Sequence, residues 1–430
     1  MTDQLESRLR AYLTEIADEV PPHVSERVRS HTYHPRHHRV PPLIAVAAVT
    51  VLVAGAAAMF TAATTPGGPT SRTQTPSWQL VGDVTQLSWA QATGAGYQPA
   101  LSLTCPSTNT CYASEGSTTI EVTHDGGLTW QQASLPTKAI PEGSIDCVDA
   151  ATCSAIAMNL TSTSKTASYS FVRTADGGTN WTAASFGSAL PTHLAPTGVS
   201  CSTTTSCVAV FASTGGGSGM AMATSDGGTT WIATGRFSTG LQPMDIECFP
   251  GGACIVTGRG GTQSAQGMAS FSTDGGSTWS PATVPAGIGM IANLSCTSET
   301  DCLAIAPSSA TGPAPFVVAA STDGGQSWTL TGDNGLPANA QLFAVSCASS
   351  AMCWVGGSLI TSGTPQLIGQ GPALLAQRSA GGQTWTVSQL SGPSAHGTVL
   401  AASCPGTTTC YALEAQAAGT GQVAFLSYGA

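Results

Sequence analysis

Thr224-Ser225-Asp226-Gly227-Gly228-Thr229-Thr230-Trp231 is one of six occurrences of a single phrase whose reading decides the fold. The others run Thr123 to Trp130, Thr174 to Trp181, Ser272 to Trp279, Ser321 to Trp328 and, in degraded form, Arg378 to Trp385. The phrase is a turn. Its Asp carboxylate can accept hydrogen bonds from turn amides, and the paired glycines admit φ > 0 without a Cβ penalty. A short apolar strand precedes each copy, as in Phe316 to Ala320, and another begins at the Trp, which is placed to enter a sheet interface.

A second repeat surrounds the first. Seven Cys-x5-Cys pairs use every cysteine of the chain: Cys105–Cys111, Cys147–Cys153, Cys201–Cys207, Cys248–Cys254, Cys296–Cys302, Cys347–Cys353 and Cys404–Cys410. Apolar residues flank each pair, so two strands joined by a polar turn and stapled at its base fit the pattern. Disulfides are the expected chemistry, because a zinc knuckle would use Cys-x2-Cys and further ligands. Each unit is therefore a four-stranded antiparallel sheet of about 50 residues, the size of a propeller blade.

The phrase resembles the Asp-box, or BNR repeat, S-x-D-x-G-x-T-W. That repeat occurs in sialidases, some glycoside hydrolases, sortilin-type receptors and photosystem II assembly-factor-like propellers. The resemblance covers residues from about 85 to 430. It implies a β-propeller in which the box is a structural turn between the third and fourth strands of a blade. Asp125, Asp176, Asp226, Asp274 and Asp323 are the box acids, and Trp130, Trp181, Trp231, Trp279, Trp328 and Trp385 the box tryptophans. Ala380 replaces the sixth Asp, leaving that turn to its glycines.

Seven Cys pairs against six boxes point to closure of a ring. Leu87 to Thr93, with Trp89, reads as a fourth strand without a blade before it, and Val423 to Tyr428 as a third strand without a box after it. Joined, they complete a seventh blade and remove the open edges. The expected fold is all-β: a seven-bladed propeller of four-stranded antiparallel blades, each with one disulfide.

The first residues differ in kind. Leu5, Leu9, Leu13, Ile16 and Val20 recur at helical spacing, and Pro21-Pro22 end the pattern. A basic stretch with His31, His34, His37 and His38 follows, read as a solvated juxtamembrane segment rather than a metal site. Leu43 to Ala63 carries no charge over a length that crosses a ~30 Å hydrocarbon core. Four arginines precede it closely, which puts residues 1–40 in the cytoplasm and all that follows Ala63 outside the cell membrane. A single-pass signal anchor fits better than a cleaved signal peptide, whose apolar region would be shorter and start sooner. Residues 64–84 read as a linker and 85–430 as the propeller. This layout and the Ala/Gly/Thr/Pro bias give a bacterial impression. That no cysteine precedes Cys105 agrees with this topology.

From Thr64 onward the chain has 17 acidic and seven basic side chains, a balance of −10 that argues against nucleic acid as a partner. Sialidase chemistry would need an arginine triad, yet only Arg173, Arg236, Arg259 and Arg378 follow Trp78, and two of them sit beside boxes. A general glycosidase would need two facing carboxylates. Asp146 and Glu247, each directly before the first Cys of its unit, are the best pair. Glu115, Asp301 and Glu414 read as surface charges near turns. Between second Cys and box Asp the spacing varies most, which marks the loops at Thr214 to Gly219, Gly258 to Gln266 and Gly356 to Gly371 as candidate binding elements. The expected function is a non-catalytic binding or scaffold module for a protein or cell-surface glycan, without cofactor or metal. The alternatives are a transmembrane sensor reporting through residues 1–40 and a glycoside hydrolase.

Overall fold

The computed structural model describes residues 77–88, 101–115, 117–136, 139–159, 168–187, 190–215, 217–237, 240–261, 266–308, 316–332, 334–361, 371–378, 384–388, 390, 397–416 and 422–429. The helix, basic segment and span expected before residue 64 lie outside them, as do Trp89 and Ala380. Among the described residues no helix is long and apolar enough to cross a membrane.

Short apolar stretches punctuated by glycine turns fold into seven four-stranded antiparallel sheets. After β1 (Ser77–Ser88) the strands come in fours. Blade 1 holds β2 (Ser102–Thr104), β3 (Cys111–Ser114), β4 (Thr119–Thr123) and β5 (Gln131–Ser134). Blade 2 holds β6 (Ile140–Cys147), β7 (Cys153–Asn159), β8 (Ser168–Thr174) and β9 (Thr182–Ser185). Blade 3 holds β10 (Leu194–Cys201), β11 (Cys207–Ser213), β12 (Met220–Thr224) and β13 (Ile232–Arg236). Blade 4 holds β14 (Leu241–Cys248), β15 (Cys254–Gly260), β16 (Gly267–Ser272) and β17 (Ser280–Pro281). Blade 5 holds β18 (Asn293–Cys296), β19 (Cys302–Pro307), β20 (Phe316–Ser321) and β21 (Thr329–Leu330). Blade 6 holds β22 (Ala340–Ser349), β23 (Met352–Leu359), β24 (Ala373–Arg378) and β25 (Trp385–Ser388). Blade 7 holds β26 (Gly397–Gly406), β27 (Thr409–Gln416) and β28 (Gln422–Gly429), and its fourth strand is β1.

The first strands touch one another in sequence, and β2 touches β26, so the blades close into a ring. All seven Cys pairs are disulfides. In blade 3 the bridged residues are direct cross-strand partners, Cys201 opposite Cys207, with Cα atoms 3.9 Å apart.

Apolar packing is distributed over seven seams between neighbouring blades. Every seam contains tryptophan: Trp130, Trp181, Trp231, Trp279, Trp328 and Trp385 follow the turns in six of them, and Trp78 joins Trp354 in the seventh. The closing strand therefore lies on Ser77–Ser88, starting ahead of the expected boundary at residue 85. Trp78 pairs with Tyr428 and meets Trp354 edge-on at 5.1 Å, the contact that selects it. Spacing to the first Cys pointed instead to Trp89, because the segment between β1 and β2 is longer than its counterparts.

The turns follow one hydrogen-bond scheme. In blade 3 the Thr224 hydroxyl donates to Asp226 at 2.8 Å and accepts from Gly228 N–H at 3.1 Å. Asp226 also accepts from Thr230, through its N–H at 2.9 Å and its hydroxyl at 2.6 Å. Gly227 N–H donates to Thr205 O in the Cys turn of the same blade, so both turns share one face of the ring. Gly228 has φ +89°, and a Cβ there would lie 2.3 Å from the Phe171 ring of blade 2. Gly240 has φ +77° with nothing within 4 Å. Gly228→Ala is expected to cost about 2–5 kcal/mol, from left-handed strain plus overpacking, whereas Gly240→Ala costs about 1–2 kcal/mol. Denaturant midpoints at unchanged slope measure the difference, and equal costs would contradict the packing argument.

Candidate functional site

A channel of about 390 Å³ runs where the seven first strands converge. The residue directly before the first Cys of each blade faces the next blade there. Cys248 N–H donates to Ser200 Oγ at 3.0 Å, Cys347 to Ser295 at 3.0 Å, Cys404 to Ser346 at 3.0 Å and Cys105 to Ser403 at 2.9 Å. The Thr104 hydroxyl reaches across to Ile145 O. These bonds link successive blades around the axis.

Asp146 and Glu247 occupy the same ring position. Cys201 N–H donates to Asp146 Oδ2 at 2.7 Å, and Cys296 N–H to Glu247 Oε2 at 2.9 Å. The structure thus brings both candidates to the channel and gives each the amide that serine holds elsewhere. Asp245 joins them; it was missed in the sequence, although Asp245-Ile246-Glu247 has the alternation that puts two acids on one face of a strand. It accepts from Leu294 N–H and Ile246 N–H, both at 2.9 Å.

The three acids are partly open to the channel, yet the surrounding strands enclose them enough for desolvation to dominate their ionisation. Burial pushes the Asp146 carboxyl up to about 6, against the pull of the Cys201 amide. Burial raises Asp245 to about 7, opposed by its two amides, with the Asp146 charge adding to the rise. Glu247 is raised well above the usual carboxylate range by burial and then by the Asp245 charge. A lining of three acids whose pKa values are all raised can hold or share protons. Among the described residues no group of three or more His, Cys, Asp or Glu is arranged to hold a metal ion.

An acid whose pKa is raised on folding stabilises the folded state fully below its unfolded value, about 4, and loses that stabilisation as pH climbs through the folded value. The turn acids act oppositely. Hydrogen bonds from Thr129 and Thr230, through hydroxyl and amide, hold Asp125 and Asp226 down to about 2, so their contribution disappears as pH falls from about 4 towards that value. Stability is therefore expected to peak near pH 4 and to decline as pH climbs from there through about 6 and 7. Asp245→Asn with Glu247→Gln keeps an acceptor oxygen for each amide and should flatten that decline in pH-dependent thermal melts. An unchanged slope would show that the pair does not titrate in this range.

The other acids sort differently. Glu414 is fully buried in β27, which corrects its reading as a surface charge: both faces of that strand are covered, and a Cβ added at Gly397 would touch its carboxylate. Glu115 is half-buried after β3, and Asp301 caps the blade 5 Cys turn, accepting from the Ser298 and Thr300 hydroxyls at 3.0 Å. Glu121, also unforeseen, is fully buried beside Gln132 at 3.1 Å, and burial raises its pKa. Of the variable loops, Thr214 to Gly219 joins β11 to β12 as expected. The other two begin later than expected, since Gly258 and Gly356 lie within β15 and β23.

No family model and no curated protein matches the sequence. Solved structures do resemble it. One titled YCF48 bound to D1 peptide aligns over 78% of this chain and 99% of its own, at 15% identity and TM-score 0.52. YCF48 from Cyanidioschyzon merolae aligns over 82% of this chain and 99% of its own, at 13% identity and TM-score 0.54. A GH74 xyloglucanase from Xanthomonas campestris aligns over 82% of this chain and 55% of its own, at 14% identity and TM-score 0.48, too low to carry an argument. These likenesses establish the propeller fold alone.

Proposed function

We propose that the chain is a membrane-anchored extracytoplasmic propeller acting as a non-catalytic binding or scaffold module for a protein or cell-surface glycan. The observation that carries this reading is the channel ring. Asp146 and Glu247, the acids best suited to hydrolysis, do there what serine does in other blades, namely accept the amide of the next blade. That the related fold of YCF48 has been seen with a D1 peptide supports a propeller holding a protein segment. The Asp-Gly-Gly turns, as Asp-boxes, belong to the scaffold, and the loops of the opposite face are the docking elements. Residues 43–63 serve as the single-pass anchor, with residues 1–40 in the cytoplasm.

The test is crosslinking of the full-length chain in its native membrane. A specific protein or glycan should be captured and then lost when Thr214 to Gly219 is replaced by an unrelated loop. The rival hydrolase reading draws on the raised pKa values of the channel acids. Turnover of chromogenic glycosides, abolished by Asp146→Asn or Glu247→Gln, would install that reading instead.

A further inference from the structure

Six steps of the chain join Asp or Asn to Gly, where a backbone nitrogen most readily attacks the preceding side-chain carbonyl because glycine leaves the approach open. Five of them are the Asp-Gly-Gly turns, and there the attacking group is occupied. The N–H groups of Gly126, Gly177, Gly227, Gly275 and Gly324 all donate to carbonyls of the Cys turn in their own blade. Each preceding carboxylate is meanwhile held by the amide four residues on. The sixth step is Asn334-Gly335, in the connection between β21 and β22. Both residues are exposed, no described residue accepts from the Gly335 N–H, and none bonds to the Asn334 side-chain amide.

We propose that Asn334-Gly335 is a self-modification site that loosens the seam between blades 5 and 6. The Gly335 nitrogen, after losing its proton, bonds to Asn334 Cγ, and the side-chain nitrogen takes up a proton and leaves as ammonia. Water then opens the five-membered imide, giving aspartate or isoaspartate at position 334. The structure favours the first step. Trp385 N–H donates to Asn334 O at 2.7 Å, drawing electron density onto that oxygen and so stabilising the deprotonated Gly335 nitrogen. Gly335 has φ +95° and lies against Trp385 O, where a Cβ would clash, so the fold holds glycine at this position. The neighbouring seam has the same tie without the chemistry: Trp328 N–H donates to Thr283 O at 2.9 Å, and Thr283 has no side-chain carbonyl to attack. In isoaspartate the main chain runs through the side-chain carbon and gains one methylene, and the carbonyl that held Trp385 leaves it. Leu336, the next residue but one, packs into the apolar cluster that contains Trp385, so the shift reaches that seam. The site is independent of the binding role proposed above and stands or falls separately.

Ageing the purified full-length chain at mildly alkaline pH, followed by peptide mapping with mass spectrometry, tests it. A product about 1 Da heavier at position 334, partly isoaspartate, should accumulate faster as pH rises, while the five Asp-Gly steps stay unchanged. In the urea-unfolded chain that discrimination should vanish, with isoaspartate appearing at the Asp-Gly steps as well. Aged protein should melt about 2–4 °C below fresh protein. Asn334→Thr, which carries the residue of the blade 4 tie, should keep its midpoint on ageing and gain no mass there. An unmodified Asn334 in the aged folded chain, or Asp-Gly steps that react as fast, overturns the site. Modification that leaves the midpoint unchanged overturns its effect on the seam. Were Asn334→Thr to misfold, the wild-type chain would decide alone, because its modified fraction carries an extra negative charge and can be separated and melted beside the rest.

Discussion

Deletion of β28, residues 422–429, is expected to abolish cooperative thermal unfolding of the propeller. Val423, Ala424 and Phe425 are fully buried and Leu426 is 1% exposed, so the strand lies inside the ring on both of its faces. Phe425 stacks on Tyr411, meets the Trp130 ring edge-on at 5.1 Å and occupies the space a Cβ at Gly127 would need. Leu426 belongs to the opposite seam with Trp354 and Trp78. Removing Val423, Phe425 and Leu426 at about 1.5–3 kcal/mol each forfeits roughly 5–9 kcal/mol of apolar burial. Among the described strands β1 pairs only with β28, so it loses its ladder as well, and two seams open. A domain stable by about 5–15 kcal/mol does not survive that loss. Far-UV circular dichroism of the truncated full-length chain should show a broad, early transition. A sharp melt at the wild-type midpoint would falsify the closure energetics.

Much of this architecture was legible because repetition turns weak local signals into strong ones. One Asp-Gly-Gly is any turn; five with Thr or Ser two residues ahead of the Asp and Trp five residues after it define a unit. Cys at a fixed separation of six marks where two strands must lie side by side. Trp78 escaped because its seam is formed by residues from opposite ends of the chain, and spacing along the sequence cannot report such a contact. The acids divided for a similar reason. Asp146 and Glu247 stood out against the Ser and Thr of their ring position. Asp245, two residues before Glu247, shares a strand face with it by alternation, a signal that gained meaning once β14 was seen to face the channel. Glu414 was misread because alternation along β27 does not reveal that both faces of a blade are covered by its neighbours.

Loss of all seven disulfides is expected to leave the chain unable to hold its fold, although each bridge is modest. A bridge spanning six residues removes unfolded-state entropy worth about 2 kcal/mol in the loop-closure treatment. The loops are local and belong to different blades, so their effects should add. Seven sum to roughly 14 kcal/mol, comparable with the whole stability of a typical domain. The second Cys of each pair is almost fully buried, from Cys111 at 0% to Cys302 at 5%. Reductant alone should therefore act slowly on the folded chain, while reduction in denaturant followed by dilution should fail to restore the native circular dichroism. A graded test separates the staple from the channel ring. Cys201→Ala with Cys207→Ala leaves the residue 201 amide in place to donate to Asp146, because that donor is backbone. The pair should thus lower the denaturant midpoint by the equivalent of about 2 kcal/mol without altering the pH dependence set by the channel acids. A larger loss accompanied by a changed pH profile would mean that the bridge also positions the ring. Blade cohesion would then depend on the disulfide twice, through the unfolded chain and through the geometry of the channel.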